Sequence, residues 1–265
     1  MMTTTSTTSN DQPHGPGPRR GGRIAAVCFD LDDTLVDARA AWRAGFAAAV
    51  ASELAPRLGE RAHEPQLFER VFQPLVHAEF VAGPGEWDIA FVRRGFRAFV
   101  AAHGGADDAL ADRAFAAYEA AWPRALVLFD DALAALRAAR AHGAVALVSN
   151  GGAQEQRRKV EALGLHEWCD AIVISGEAGV RKPDAAIFAR ALAALDVAPG
   201  EALHVGDNLD ADVRGAREAG LVAVWLNRAG APRDVEGASR AAGERADAGP
   251  HFEVRSLAEL AGVYG

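Results

Sequence analysis

Short apolar runs alternate with alanine-rich segments along most of this chain. Because the runs lack the polar alternation of half-exposed strands, they predict strands that are buried on both faces, as in a parallel sheet. The segments between them repeat apolar residues at helical spacing, as Ile187, Ala191 and Leu195 do. The pattern therefore predicts a doubly wound α/β fold. The predicted strands are residues 24–29, 144–149, 171–175, 202–205 and 221–226.

Glycines follow the helices that the pattern predicts between these strands. Glycine readily adopts the left-handed conformation that stops a helix, and we expect that conformation at each of these positions. Pro183 predicts the start of a further helix, because proline is favoured at the first helical position. Ser256 and Glu259 have the spacing of a capping box and predict a short C-terminal helix. The helices 131–142, 153–163 and 212–219 end at Gly143, Gly164 and Gly220.

One long segment interrupts the alternation. Residues 37–130 lie between the first strand and the next core helix, where a connection normally takes about two to six residues. Apolar residues recur in this segment at helical spacing, and strand-like runs are scarce. We therefore predict an inserted α-helical domain at 37–130 with hinges near residues 36–38 and 126–130. The catalytic core is then built from residues 23–36 and 131–265.

Two segments contain few large apolar side chains. Residues 1–22 are rich in threonine, serine, glycine and proline, and they predict a disordered tail because they cannot bury enough surface to fold. Residues 228–250 contain one large aliphatic residue, Val235, and predict a mobile surface loop.

Composition and charge exclude several classes of protein. Half of the 265 residues are hydrophobic, enough for a substantial core. The net charge of −8 argues against binding to a nucleic acid polymer. No apolar run reaches the roughly 18 residues of a membrane span, so we expect a cytoplasmic protein without a membrane partner. Cys28 and Cys169 are too few for a disulfide framework, and Cys28 is expected to be buried. Monomer and homodimer both stay open.

Two aspartates end the first predicted strand. Asp30 and Asp32 lie one residue apart beyond its last aromatic residue, and strand alternation would point them the same way. Two carboxylates this close disfavour each other's ionised form unless a positive charge lies between them, and a divalent cation would provide it. The alternative is that both aspartates only cap a turn and the helix that follows.

Three further polar segments follow predicted strands in order along the chain. Ser149 is followed by Asn150 and two glycines, and Lys182 is followed by a proline. Asp207 is followed by Asp212 five residues later. The carboxyl ends of parallel strands meet at one edge of a sheet, so we expect these side chains to converge with the first pair of aspartates.

Together the four segments resemble the haloacid dehalogenase-like (HAD) superfamily of phosphohydrolases. The motifs of that superfamily are D-x-D-x-T, a strand-end serine or threonine, a lysine, and G-D-x-x-x-x-D, and they match this chain in order between residues 24 and 227. The resemblance implies a Rossmann-like core with a helical cap. It also implies a phosphatase that hydrolyses a small phosphate ester with Mg²⁺ through an aspartyl-phosphate intermediate.

The resemblance assigns roles to individual residues. Asp30 is the nucleophile, and Asp32 is the general acid for the leaving group and later the general base for water. Lys182 places its ammonium group between Asp30 and the phosphate. A simple helix cap is the alternative role for Thr34. The phosphate-binding residues that the resemblance implies are Thr34, Ser149, Asn150 and Gly151.

The implied magnesium ligands are all oxygen atoms, as this cation prefers. They are the Asp30 carboxylate, the Asp32 backbone carbonyl and the Asp207 carboxylate. Asp212 would support these ligands from behind. Two other residues of the same loop are either alternative ligands or helix caps, namely Asn208 and Asp210.

Other functions stay open at this point. A dehalogenase of the superfamily uses the same nucleophile on carbon without a metal and lacks the second acid, so Asp32 argues against it. A phosphomutase would keep all four motifs. A binding protein on this fold would be expected to have lost catalytic positions, and here they are all present. The cap residues that either shape the leaving-group pocket or only pack are Trp42, Arg43, Trp87, Arg93 and Arg94.

Overall fold

A parallel β-sheet forms the centre of the computed structural model, which describes residues 23–82, 89–231 and 249–264. In chain order its strands are β1 (Ala26–Phe29), β2 (Ala144–Ser149), β3 (Ala171–Ile174), β4 (Ala202–Gly206), β5 (Val222–Leu226) and β6 (Phe252–Val254). The strand order across the sheet is β3-β2-β1-β4-β5-β6. Every neighbouring pair is parallel, which confirms the predicted α/β fold.

Helices cover both faces of this sheet, and β1 is therefore buried on both sides. Val27 and Phe29 belong to one apolar cluster, and Ala26 and Cys28 belong to the other. All four are completely buried, including the thiol of Cys28, as predicted. The insertion contributes α1 (Ala38–Ala49), α2 (Ala55–Leu58), α3 (Gln73–Ala82), α4 (Ile89–Ala102) and α5 (Asp108–Ala121). The core contributes α6 (Ala132–His142), α7 (Ala153–Ala162), α8 (Ser175–Ala178), α9 (Ala185–Leu195) and α10 (Gly215–Glu218).

Aromatic packing holds the inserted helices together. The rings of Phe46 and Phe72 lie 4.5 Å apart, and the rings of Phe72 and Phe96 are also 4.5 Å apart. Phe99 meets Phe46 edge to face at 5.5 Å. Offset and edge-to-face rings at these distances add to the stabilisation from apolar burial. The helical spacing in this segment therefore reflects apolar packing between its helices, and this packing is continuous with the buried cluster that contains Val27 and Phe29 of β1.

The two chain segments that lead into and out of these helices run side by side. The amide of Asp37 donates to the carbonyl of Val127 at 3.0 Å, and the amide of Phe129 donates to the carbonyl of Leu35 at 2.9 Å. Asp37 also begins α1, since its carboxylate accepts from the amide of Ala40 at 2.9 Å. The predicted hinges thus form a short paired ribbon. The division of the chain into domains stays a prediction.

Three local expectations were wrong. The sheet has a sixth strand, β6, in which a charged residue interrupts the short apolar pattern. Pro183 does not open α9, which begins two residues later with Asp184 as its cap, accepting from Ala186 at 2.9 Å. Gly143 is extended with φ 176°, and here glycine is required for space, because a Cβ would lie 1.9 Å from the carbonyl oxygen of Ala25.

Other local expectations were confirmed. Gly164 and Gly220 have left-handed φ values of 63° and 83°. The Ser256 and Glu259 capping box is present and begins a 3-10 helix at Leu257–Gly262. The predicted tail at 1–22, most of the predicted loop at 228–250, and Trp87 lie outside the described residues. Among the helices that are described, none has both the length and the apolar character of a membrane span.

Candidate active site

Asp30 lies at the carboxyl end of β1, in the middle of the sheet. Its amide donates to the carbonyl of Val205 in β4 at 2.9 Å, which fixes the backbone where the two strands separate. Its side chain is buried, being 6% exposed. Burial is the main reason that the pKa of Asp30 rises from its ordinary 3.8 to about 7; Asp212 adds to the rise and Lys182 opposes it.

Lys182 supplies the cation next to Asp30. Its Nζ donates to Asp30 Oδ1 at 2.5 Å and to Asp212 Oδ1 at 2.7 Å. The side chain is only 2% exposed. Burial alone would lower the pKa of Lys182, but the carboxylates of Asp212 and Asp30 raise it, so the ammonium stays charged. The predicted convergence of Lys182 with Asp30 is therefore observed in the geometry.

Asp212 is fixed by three donors. Besides Lys182, the ring Nε2 of His204 lies 3.0 Å from its Oδ1, and the amide of Asn208 donates to its Oδ2 at 3.0 Å. Burial alone would raise the pKa of Asp212, but the ammonium and the His204 hydrogen bond hold it well below its ordinary range. Gly206 makes room, since a Cβ there would lie 2.2 Å from the Asp212 carboxyl carbon.

Asp207 completes a group of three carboxylates. One oxygen from each of Asp30, Asp207 and Asp212 lies within 4.8 Å of the others. Burial raises the pKa of Asp207 to about 8, and repulsion from Asp30 and Asp212 contributes. Because a single lysine does not neutralise three carboxylates, the cluster favours a further cation. A hard divalent cation such as Mg²⁺ fits a site whose protein ligands are all oxygen.

The loop after Asp207 caps the π-helix at Leu209–Arg214, which continues into α10. Asn208 Oδ1 accepts from the amides of Asp210 and Ala211 at 3.0 and 2.9 Å. Asp210 forms an exposed ion pair with Arg214 at 2.7 Å. The capping alternative therefore describes Asn208, whereas Asp210 is a solvated loop residue that pairs with an arginine at the surface.

Asp32 forms hydrogen bonds with side chains of α7 and lines the same cleft as the three clustered carboxylates. Its Oδ1 and Oδ2 each accept from Lys159 Nζ at 2.9 Å, and its Oδ2 also accepts from Gln156 Nε2 at 2.9 Å. Lys159 is completely buried and also pairs with Glu155 at 3.0 Å. The first and second aspartates of the motif thus have separate lysine partners. Lys182 pairs with Asp30, and Lys159 pairs with Asp32.

Two hydroxyls of the predicted phosphate site are buried without a partner. Neither Ser149 Oγ nor Thr34 Oγ1 has a hydrogen bond within the described parts of the chain. Buried hydroxyls normally find a partner, and an unpaired one commonly marks a position where an ion, water or ligand is missing. Thr34 is not a helix cap, because Asp37 occupies that position at the start of α1.

The other two predicted phosphate residues have additional contacts. The Asn150 amide donates to the Lys182 carbonyl at 2.9 Å, and its oxygen accepts from the Lys182 amide at 2.8 Å. Asn150 therefore holds the backbone of the lysine loop. The amide of Gly151 donates to Ser175 Oγ at 2.9 Å, so this structure engages it elsewhere than at a phosphate. A Cβ at Gly151 would lie 2.3 Å from Gln156 Nε2.

A cleft of about 430 Å³ connects these core residues with the inserted helices. Volumes of this size suit small-molecule ligands. A second opening of about 920 Å³ reaches Asp207 and Lys182 along the side of Leu209 and Arg228. The inserted helices line the smaller cleft with Trp42, Phe68, Phe72, Val76, Phe80, Val92 and Tyr118. Its further polar lining residues include Arg39, Gln73, His77 and Arg181.

The expected cap residues divide between the two alternatives. Trp42 lines the cleft. Arg43, Arg93 and Arg94 instead form ion pairs with Glu69, Asp112 and Glu79 on the insertion. For these arginines the packing alternative describes the structure.

Comparison with known proteins decides the family. The family model of haloacid dehalogenase-like hydrolases matches residues 24–220. The chain belongs to this family. The matched range contains all four motifs and strands β1 to β4, so the hydrolase assignment covers the candidate site.

Individual relatives of this HAD-like hydrolase are phosphatases. It is 42% identical over 151 residues to the phosphoserine phosphatase of Thermus thermophilus, over 57% of this chain and 60% of that enzyme, which is less than two thirds of its length. It is 31% identical over 222 residues to the N-acylneuraminate-9-phosphatase of Mus musculus, over 78% of this chain and 84% of that enzyme.

Among solved structures, the HAD hydrolase YfnB of Bacillus subtilis has the same fold. The TM-score is 0.69 with 20% sequence identity, over 92% of this chain and 99% of that one. At this identity the likeness concerns the fold alone.

Sequence reasoning missed several side chains that contact the site of this hydrolase. His204, a buried residue of β4, contacts Asp212, and its Nδ1 has no partner among the residues described. Lys159 and Gln156 contact Asp32 and were not singled out. Composition contained one usable signal, since the chain has 26 arginines and only two lysines, which are Lys159 and Lys182.

Proposed function

We propose that this HAD-like hydrolase is a Mg²⁺-dependent phosphatase that hydrolyses a small phosphomonoester through a phosphorylated Asp30. The observation that carries the proposal is the arrangement at the base of the cleft. A buried carboxylate there contacts Lys182 at 2.5 Å, and a second carboxylate, Asp32, lines the same cleft. A nucleophile, a countercharge and an acid are therefore available to one bound phosphate ester.

The first step transfers the phosphoryl group to the protein. An Asp30 oxygen attacks phosphorus, and the bond between phosphorus and the leaving-group oxygen breaks. Asp32 gives its proton to that oxygen, so that an alcohol leaves rather than an alkoxide. Lys182 reduces the repulsion between the Asp30 carboxylate and the phosphate, which amounts to about 4 kcal/mol per charge pair at 4 Å and an effective dielectric of 20.

The second step returns Asp30 to its starting state. Asp32, now a carboxylate, takes a proton from water as the water oxygen attacks phosphorus. The bond between Asp30 and phosphorus breaks, and inorganic phosphate leaves. The otherwise unpartnered hydroxyl of Ser149 provides a hydrogen bond to a phosphate oxygen throughout both steps. Asn150 contributes by holding the Lys182 backbone in place.

Mg²⁺, when bound, neutralises charge on the phosphate and orients it for attack. The Asp30 and Asp207 carboxylates and the backbone carbonyl of Asp32 would hold it. Asp212 would support these ligands without binding the metal itself, because its oxygens already accept hydrogen bonds from Lys182, His204 and the Asn208 amide. The fit rests on the three clustered carboxylates and on the raised pKa values of Asp30 and Asp207.

Residues 37–130 serve in this proposal as a cap over the core. The cap contributes an apolar wall to the cleft, and this wall contacts the part of the substrate that leaves. Opening at the paired segments around Asp37 and Val127 would admit substrate, and closing would exclude water from the first step. We place the protein in the cytoplasm, and it acts without a membrane or a nucleic acid polymer as partner.

A phosphomutase is the second candidate, since it would use the same core residues. A dehalogenase would have no use for Asp32 held at the cleft by two donors.

The test is phosphate release from a panel that contains phosphorylated sugars, nucleoside monophosphates, phosphoserine, phosphoglycolate and p-nitrophenyl phosphate. Each ester is measured with Mg²⁺ and with EDTA, and Asp30→Asn is the control variant. We expect Mg²⁺-dependent release by the parent and none by the variant. Release that is equal in both proteins would contradict the assignment of the nucleophile, and release from no ester would favour the mutase.

A further inference from the structure

Both lysines of this chain are buried, and each contacts a different carboxylate of the first motif. Arginine accounts for the other 26 basic residues and forms the ion pairs on the surface. Both lysines are instead buried, with Lys159 0% and Lys182 2% exposed. Each contacts one of the two motif aspartates, Lys159 contacting Asp32 and Lys182 contacting Asp30. An ammonium is a compact charge on a flexible stem, which the larger planar guanidinium does not replace at a confined site.

The side chain of Lys159 is completely buried between α7, Asp32 and the inserted helices. Its Nζ lies 2.9 Å from both oxygens of Asp32 and 3.0 Å from Glu155 Oε1. The rings of Trp42 and Trp122, both from the insertion, lie 5.6 and 5.9 Å away and fall within the range of cation–π contacts. Two carboxylates in direct contact and two aromatic rings nearby all favour the charged form of this ammonium. The group is therefore a fixed positive charge.

Burying a charged lysine is costly, and an apolar residue of similar volume is often equally or more stabilising at such a position. Structural charge balance alone does not explain the arrangement. Lys159 donates to both oxygens of Asp32, and Gln156 donates a third hydrogen bond to it. These three bonds fix the orientation of the Asp32 carboxylate. Gly151 permits this, because any larger residue would collide with the Gln156 amide.

We infer that Lys159, assisted by Gln156, is a positioning residue for proton transfer by Asp32. The inference rests on the proposed phosphatase function. When Asp32 gives its proton to the leaving oxygen it becomes a carboxylate, and the Lys159 ammonium stabilises that form by direct attraction. The same contact fixes the position of Asp32, which lines the cleft. Lys159 does not touch the phosphate and acts only through Asp32.

This role has a signature that a structural role lacks. An ester with a poor leaving group needs the proton from Asp32, whereas p-nitrophenolate departs readily without one. Loss of Lys159 should therefore slow phenyl phosphate hydrolysis much more than p-nitrophenyl phosphate hydrolysis. The two esters have similar size, so the cleft contacts are nearly matched. The ratio of their kcat/KM values is also independent of the fraction of protein that is folded.

The experiment measures this ratio for the parent protein with Mg²⁺ and for Lys159→Met. Asp32→Asn gives the full effect of losing the acid, which typically amounts to about 10²-fold or more. We expect Lys159→Met to shift the ratio against phenyl phosphate by at least about tenfold. Arg157→Met is the matched control, because it removes a cation from the same helix that pairs with Glu177 on the surface. It should leave the ratio at the parental value.

Lys159→Met leaves the buried Glu155 without its partner. If that variant does not fold, Lys159→Met/Glu155→Gln removes the isolated charge and is measured in its place. A parental ratio in the Lys159 variant together with a shifted ratio in Asp32→Asn would overturn the inference and leave the phosphatase proposal intact. A parent protein that hydrolyses neither ester and none of the panel would instead overturn the proposed function.

Discussion

The clustered carboxylates should destabilise the metal-free protein, and Asp207→Asn should relieve that cost. Asparagine has the shape of the protonated acid but cannot ionise. In the unfolded chain Asp207 ionises near its ordinary pKa of 3.8, whereas burial and repulsion from Asp30 raise the pKa to about 8 in the folded protein. Between these values the folded state binds more protons than the unfolded state. Stability is therefore complete below pH 3.8 and falls as the pH rises toward 8.

The size of the effect follows from the shift. From 3.8 to about 8, at about 1.4 kcal/mol per pKa unit, it corresponds to about 6 kcal/mol. Asp207 is partly exposed, and water screens its repulsion, so we expect about a third of that value, about 2 kcal/mol. For a protein of this size a gain of about 2 kcal/mol raises the melting temperature by about 4–8 °C.

The assay is thermal and urea unfolding of the parent and Asp207→Asn in EDTA at pH 8 and at pH 4. The variant should be more stable at pH 8, equally stable at pH 4, and no longer stabilised by Mg²⁺. It should also lose phosphatase activity. The electrostatic reasoning would be refuted if the variant were less stable than the parent at pH 8. It would also be refuted if the variant exceeded the stability of the parent by the same amount at pH 4 as at pH 8.

Three further predictions concern other parts of the molecule. Phe72→Ala should cost about 3–5 kcal/mol of unfolding free energy by removing the ring at the centre of the aromatic cluster, while Val81→Ala at an exposed position should cost less than about 0.5 kcal/mol, both measured by urea unfolding. Asp212→Asn should cost about 3–5 kcal/mol at pH 7, because it leaves a buried lysine with one partner fewer. The lowered pKa of Asp212 means that its contribution is present above pH 3.8 and disappears as the pH falls through the lower folded value, so this difference should shrink in acid unfolding. Ser149→Ala should leave stability within about 1 kcal/mol of the parent because its hydroxyl has no partner here, but it should raise KM by about tenfold or more, the value of one hydrogen bond to a charged group.

The sequence predicted the part of the site that depends on strand ends. Asp30 and Asp207 follow β1 and β4, which are neighbours in the sheet, and the carboxyl ends of parallel strands lie at the same edge of a sheet. The lysine loop lies beyond α8 rather than at a strand end, so only its place in the order of the motifs linked it to Asp30. For this reason the contact between Asp30 and Lys182, 152 positions apart, is foreseeable from motif order alone.

The parts that were missed depend on side-chain packing. Lys159 lies in a helix, and its spacing along the chain does not show that it turns inward beneath Trp42 and Trp122. The close contact between Gly151 and Gln156 was missed as well, whereas the phosphate-binding role of Gly151 stays a prediction. The short strand Phe252–Val254 was missed, because it has only three residues and Glu253 interrupts its apolar pattern.

The most direct test of the central claim is to identify the phosphorylated residue. The parent protein is mixed with its best ester and Mg²⁺, quenched in acid during the first turnover, digested and analysed by mass spectrometry. We predict a phosphoryl group on Asp30, formed within the turnover time and absent from Asp30→Asn. An active parent that carries no phosphoryl group at any time, or carries it on another residue, would contradict the account.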